Sequence, residues 1–494
     1  MGRTSHLVIL VSIMAVAARL VLIDQPFVDH WSWRQSDVAA IARNYLQGRF
    51  DFARPQIDWA GDQPGYVGTE FPILPFIAAL LYKLFGAHEW IGRIQAVILF
   101  AISLPFFFFL VRNISGEIAA IWSLFFYSFA PLGIIASRCF MPDTPSLALS
   151  IVALYFFQRW LDDERSISAF VTSALCLSLS ILIKATSVLM AAPLLCLAFQ
   201  RFNFAVLKNF CLWAFATIAL LPSAIWYWHA DQVSLQFYPH HFFGAGGVKI
   251  MSLAWYWKIA RQIPTSSLTP VLFFFGVFGA LITARTARMR LFHCWLAAMV
   301  LFMVIVGYGN RHPWYQLPLV PISAAFAGVV CARGMALPMF ADPHSHAALF
   351  MRAGFSIALI AFMACVFAYT KWFYEPTAAP LRDAGLLLKK VAEPNALIVA
   401  ADNGNPAIFY YAARKGWHLL ETDGIYNGEP TDSAEAIADL EKLRKRGASF
   451  LVFTYDTSWW LDYYEQLRQY VVSNSSVVEE TPEFKIYKLN PMSP

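Results

Sequence analysis

The stretch "DHWSWRQSD", residues 29–37, gathers Asp29, His30, Arg34 and Asp37 beside two tryptophans. A carboxylate there can take a proton from a hydroxyl, and an arginine can grip a phosphate or carboxylate through two donors. Related groups recur further along: Glu70 in "TEFP", Arg138 and Asp143 in "SRCFMPDTPSLALS", Lys184 in "LSILIKATSVL", and Arg311, His312, Trp314 and Tyr315 in "GYGNRHPWYQLPLVP". A lysine inside apolar sequence needs a counter-ion or a bound anion, so Lys184 carries the strongest functional signal. Each of the others has a plainer explanation. Asp37 would sit in the first turn of a helix starting at Ser36 and closing at Gly48, Asp29 would pair with Arg34, and Asp143 would cap a helix. Trp314 and Tyr315 would be interfacial anchors. Asp143 with a partner carboxylate could take a divalent ion, but no spacing demands one. The adjacent His240 and His241 point in different directions on most backbones and are not read as a metal site.

The elements that must position these groups are membrane helices. Of 494 residues, 58% are hydrophobic, 16% aromatic and 14% charged, with a net charge of +5; mean hydropathy is +0.52. Soluble domains carry about 25% charged residues. The seven cysteines lie in or beside apolar stretches with no CxxC pair, which points away from metal clusters and structural disulfides. The N-terminal run to Ile23 reads as a retained anchor. Apolar segments at 7–23, 91–111, 116–136, 144–161, 168–183 with 185–200, 209–228, 268–284, 291–308, 316–332 and 352–371 predict about eleven crossings of a ~30 Å core.

Residues 71–86 are short and hold two prolines and Lys83, so they read as non-crossing. On that reading one face collects Arg112, Arg159, Arg165, Arg201, Lys208 and the loop "RTARMR", which makes it cytoplasmic. The chain then starts inside and ends outside, with residues 1–371 as the membrane domain and 24–90 as a large first outer loop. The tail, 372–494, reads as a soluble α/β domain. "NALIVAAD", "SFLVFTYD" and "FKIYKLN" are its expected strands, and 431–447 is a helix capped by Thr431 or Asp432 and closed by Gly447. All the candidate groups named above fall on the outer face.

The segments "WRQSDVAAIARN", "GTEFPILPFIAALLYKLFG", "SRCFMPDTPS", "HPWYQLPLVP" and, in the tail, "NPAIFYYAARKGW" resemble the GT-C membrane glycosyltransferases. The likeness is to glycosyltransferase family 39, which includes protein O-mannosyltransferases and the lipid A aminoarabinose transferases. It covers roughly residues 1–335 and part of the tail. The resemblance implies sugar transfer from a polyprenyl-phosphate carrier on the non-cytoplasmic side. It implies a catalytic Asp in the first outer loop, ahead of the juxtamembrane helix, and a second acid at Asp143. A gapless comparison puts Arg34 where the first Asp falls, so the base lies between Asp29 and Asp37. Where relatives acting on lipid A have a lysine, this chain has Glu70.

The expected chemistry is inverting transfer to an envelope glycolipid, glycan or protein. Arg34, Arg138, Lys184 and His312 would stabilise the departing phosphate, and His30, Glu70, Trp314 and Tyr315 would contact substrate. No cofactor is required, and the partners are lipids and glycans rather than nucleic acid. The expected location is the bacterial inner membrane. A flippase of lipid-linked sugars would show internal repeats, and none is visible. An oligosaccharide ligase would differ by moving a preassembled glycan.

Overall fold

A computed structural model of the protein describes residues 3–237, 248–337, 346–422 and 424–491; His240 and His241 lie outside them. The chain divides into two compact units. The first holds residues up to Ile23, Arg93–Trp226 and the segment ending at Phe373; the second holds Asp24–Gly92, a short stretch from Tyr227 and the tail from Tyr374.

The first unit is helical. Among the described residues, five helices are long and apolar enough to cross a membrane, or six if the bent pair Leu253–Ser267 and Pro270–Thr283 counts as one. Shorter apolar helices accompany them, including Thr4–Leu20, Glu117–Phe129, Ile167–Ile183 and Leu319–Met335. The sequence count of about eleven treats such pieces as whole spans of about 20 residues; local chemistry cuts several of them short. Pro131 has no N–H to continue a helix, so the run 116–136 divides into Glu117–Phe129 and Pro131–Ala136. At Ile183 the helix stops, Lys184 adopts an extended backbone, and a tight turn over Ala185–Met190 leads into Ala191–Phe202. The two short pieces expected on either side of Lys184 are therefore present.

Small residues let the helices approach. A Cβ on Gly328 would lie 2.1 Å from Ser123 Oγ and 2.4 Å from the Ala119 carbonyl, so Leu319–Met335 rides directly on Glu117–Phe129. Gly328→Val should destabilise the protein by about 1–3 kcal/mol through overpacking, visible as a lower thermal midpoint in detergent. Buried arginines fasten the end of the first helix. Arg19 bonds Ser137, the Ala15 carbonyl (2.7 Å) and the Ser128 carbonyl (3.0 Å), and lies over the Phe100 ring. Arg93 reaches the Ile23 carbonyl at 3.1 Å.

The second unit is built on a five-stranded sheet of β1 (Leu397–Ala401), β2 (Gly416–His418), β5 (Ala448–Thr454), β6 (Ser475–Glu480) and β7 (Phe484–Leu489). They lie in the order β2-β1-β5-β7-β6. The short pair β3 (Glu421–Thr422) and β4 (Ile425–Tyr426) stands apart. β1 pairs in parallel with β2 and β5, while β7 pairs antiparallel with β5 and β6. The three strands expected from sequence are present, and so is the helix Ser433–Lys445, whose cap Asp432 accepts from Glu435 N.

Strand alternation splits the sheet's side chains between two cores. Val399, Ala401, Leu451 and Phe453 pack with Leu440, Trp460 and Leu467 of the tail's own helices. Ile398, Ala400, Phe450, Val452 and Ile486 pack instead with Ile41, Tyr45, Ile57 and Trp59 of the first long loop, Asp24–Gly92. That loop contributes two helices, Ser32–Gln47 and Ile73–Phe85. The second has only 13 residues and lays Phe76 against Tyr45 at 5.4 Å between ring centroids. The loop is thus one wall of the tail's sheet. Residues 374–494 expressed alone should expose that apolar sheet face and bind a hydrophobic dye such as ANS. Addition of the loop, residues 24–92, should abolish the dye signal.

Candidate functional site

The helical unit holds Arg138, Asp143, Lys184, His312, Trp314 and Tyr315. Asp143 opens the helix Asp143–Asp162, preceded by Pro142, with Pro145 in the first turn, where a missing N–H costs nothing. Its carboxylate lies 2.5 Å from Lys184 Nζ, and both side chains are nearly buried. The backbone break at Lys184 makes this contact possible, because it turns the side chain out of the helix and toward Asp143. The ammonium also lies over the Tyr315 ring, 4.6 Å from its centroid, a placement favoured by the ring's negative face.

Around the pair is a cavity with a polar and an apolar side. Ser146, Ser150 and Ser187 line the first, and Trp295, Met299 and Phe302 belong to the second. The serines are mutually satisfied: Ser146 Oγ lies 2.5 Å from Ser187 Oγ, and Ser150 Oγ lies 2.7 Å from Ser180 Oγ. They fix the helix Asp143–Asp162 against Ile167–Ile183 and leave the wall hydroxylic. Trp314 and Tyr315 both line the cavity. His312 stacks flat on Trp314, with ring centroids 4.4 Å apart, and its Nε2 accepts from Arg311 Nε at 3.0 Å. Arg311 brings a permanent positive charge to this turn. Arg138 spends Nε and Nη2 on the Val21 and Leu22 carbonyls, a helix-end role that suits a cation.

The mixed unit holds Asp29, His30, Arg34, Asp37 and Glu70. The helix expected from Ser36 begins four residues earlier, at Ser32, and ends as expected at Gly48. Asp29 therefore precedes the helix, whereas Asp37 lies in its second turn. The side chain of Asp29 is wholly buried. It accepts from Trp31 N at 3.0 Å and from the Gln35 amide at 2.9 and 3.1 Å on its two oxygens. The expected Asp29–Arg34 pair is replaced by a different one. Arg34 Nη2 bonds both Glu70 oxygens at 2.8 and 3.0 Å, and Nη1 lies 3.6 Å from Asp37. Asp37 accepts from the Trp59 indole at 3.0 Å, and Glu70 accepts from Thr69 Oγ1 at 2.9 Å. His30 is half-buried beside Asp29.

Some of this network carried no sequence signal. Gln35 holds Asp29 and Trp59 holds Asp37, yet an amide and an indole look ordinary in a linear sequence. In the tail, Asp402 bonds His418 Nδ1 at 2.7 Å, and the His418 ring lies 5.4 Å from Trp59. Burial pushes the Asp402 carboxyl up, opposed by His418 and by the Gly404 N–H. Asp143, which could take a divalent ion with a partner carboxylate, is paired with Lys184. Among the described residues no group of three or more His, Cys, Asp or Glu is arranged to hold an ion.

Residues 62–228 match the family model described as dolichyl-phosphate-mannose-protein mannosyltransferase. No curated protein matches by sequence. Among solved structures, ArnT from Cupriavidus metallidurans bound to undecaprenyl phosphate is 14% identical with a TM-score of 0.65, covering 98% of both chains. Its apo state gives 16% and 0.67 over the same coverage. The Archaeoglobus fulgidus oligosaccharyltransferase in complex with Zn and sulfate is 14% identical with a TM-score of 0.63, covering 98% of this chain and 73% of that one. The chain thus shares the GT-C fold of these solved structures, and its residues 62–228 carry the sequence pattern of the mannosyltransferase family model.

Proposed function

We propose that this protein is an inverting glycosyltransferase that moves a sugar from a polyprenyl-phosphate carrier to an envelope acceptor: lipid A, a polysaccharide or a protein. The observation that carries the reading is the buried Asp143–Lys184 pair at a helix break, in a cavity with one hydroxylic and one apolar aromatic wall. A lipid phosphate needs a fixed cation at its head and apolar walls along its tail; Lys184, shared with Asp143, and the aromatic lining support that reading. The chemistry of ArnT's bound ligand, undecaprenyl phosphate, supports the same reading.

In this mechanism an acceptor oxygen attacks the anomeric carbon, the bond to the phosphate oxygen breaks with inversion, and the phosphate leaves as an anion. Lys184 and Arg311 supply positive charge for that anion, with Arg34, Arg138 and His312 as the further candidates. Asp29 takes the acceptor's proton. The relatives' catalytic Asp precedes the juxtamembrane helix, and the start of that helix at Ser32 leaves Asp29 ahead of it and Asp37 within it. Asp37 is the alternative base. His30, Glu70, Trp314 and Tyr315 are assigned to substrate contact. The protein would lie in the bacterial inner membrane, N-terminus inside, with sheet and loop in the periplasm.

The test is transfer of labelled sugar from polyprenyl phosphate in isolated membranes, followed by mass spectrometry of envelope lipids, polysaccharides and proteins. No sugar-bearing product in any class would refute the reading. Transfer should persist in EDTA, because Lys184 already neutralises Asp143; activity restored only by a divalent ion would place a metal there. The likeness to an oligosaccharyltransferase favours one second reading, transfer of a preassembled glycan. A product gaining several sugars in one step would establish it.

A further inference from the structure

The tail domain touches the first outer loop through more than apolar packing. Four hydrogen bonds join the tail to the segment that carries Asp29. Gln25 Nε2 donates to the Tyr374 carbonyl at 3.0 Å, and Phe27 N donates to the Tyr411 hydroxyl at 2.7 Å. Ala378 N donates to the Val28 carbonyl at 2.9 Å. Asn405 Nδ2 donates to the Ser32 hydroxyl at 2.8 Å. Ser32 is the first helical residue after the Asp29 turn, and its own N–H donates to the Asp29 carbonyl at 2.8 Å. One side chain of the tail therefore bonds the residue that closes the turn around Asp29.

Asn405 is itself held in place. Its Oδ1 accepts from Ala407 N at 3.1 Å, which fixes the amide so that Nδ2 faces Ser32. Its backbone N–H donates to the Asp402 carbonyl at 3.1 Å, and the Asp402 side chain accepts from Gly404 N at 3.1 Å. The buried His418 anchors Asp402 from the neighbouring strand. A loop constrained at this many points stays fixed while it touches one hydroxyl. Such rigidity is worth having where a reacting group must be placed to a fraction of an ångström.

We infer that Asn405 is a positioning residue for sugar transfer: through Ser32 it fixes the turn that aims Asp29 at the acceptor. This rests on the reading of Asp29 as the base. Asn405→Ala and Ser32→Ala should each lower kcat roughly ten- to hundredfold with KM for the lipid-linked sugar unchanged. The double variant should be no worse than either single one, since both remove the same bond. In an Asp29→Asn background, Asn405→Ala should change nothing further. Ser32→Thr, which keeps the hydroxyl, should restore kcat.

Steady-state transfer in detergent-solubilised full-length protein reads all of these, with thermal midpoints measured alongside. A normal kcat in both alanine variants, with Asp29→Asn inactive, would overturn the inference and leave the base assignment standing. Full activity of Asp29→Asn would remove the base assignment and the inference together. An equal loss from Asn405→Ala with and without Asp29 would show a purely structural role and also overturn it. Should Asn405→Ala fail to fold, Ser32→Ala against Ser32→Thr decides the question without altering the tail.

Discussion

Asp29→Asn should cut sugar transfer by about 10²- to 10⁴-fold, the usual worth of a positioned general base, while the protein folds normally. The fold should survive because the substitution is nearly isosteric and its surroundings can adapt. The Trp31 N–H still finds an oxygen, and the Gln35 amide can turn over to accept from the new NH2 group. What is lost is the capacity to take a proton. Asp37→Asn makes the contrast. It keeps an acceptor for the Trp59 indole but weakens the attraction to Arg34, so a smaller loss is expected. Labelled-sugar transfer by both variants decides between the two carboxylates: a large loss only in Asp37→Asn would move the base into the helix.

Lys184→Met should destabilise the protein by about 3–5 kcal/mol, because it strands the Asp143 carboxylate among apolar residues without its partner. Asp143→Asn alone leaves the ammonium on the face of Tyr315 and should cost less. Asp143→Asn combined with Lys184→Met removes both charges, and the thermal midpoint should recover much of the way toward the natural chain. Transfer activity should stay low in the double variant, since Arg311 alone then faces the departing phosphate without Lys184. Recovery of both stability and activity would mean that the pair only holds helices together. Lys184→Arg is a sharper probe: it keeps the charge but puts a planar fork where a compact ammonium fits.

Much of this was legible in the sequence because the physics is local. Membrane segments declare themselves by length and apolarity, and Lys184 declares itself by interrupting one. β1, β5 and β7 read correctly because each is a short apolar run bounded by turn residues. β6, "SSVVEE", has a mostly exposed pattern and no clean alternation, so nothing marked it. β2 has only three residues. The helix start was misplaced because Ser36 looks like an N-cap, with an anion one residue on. The helix instead begins at Ser32, whose hydroxyl accepts from Asn405, a partner no local rule could find. The Arg34–Glu70 pair likewise belongs to the folding of a loop onto itself over 36 positions.

The wall that the first loop provides for the tail's sheet has a consequence for biosynthesis. Asn405 and Ser32 are separated by 373 positions, which at roughly 5–20 residues per second takes a ribosome about 20–75 s to cross. Throughout that interval the emerged loop has no sheet to cover Ile41, Tyr45, Ile57 and Trp59, and that apolar surface needs another cover until the tail arrives. Premature termination before the tail leaves Ser32 without Asn405, so on the proposed reading an abortive chain should transfer sugar poorly.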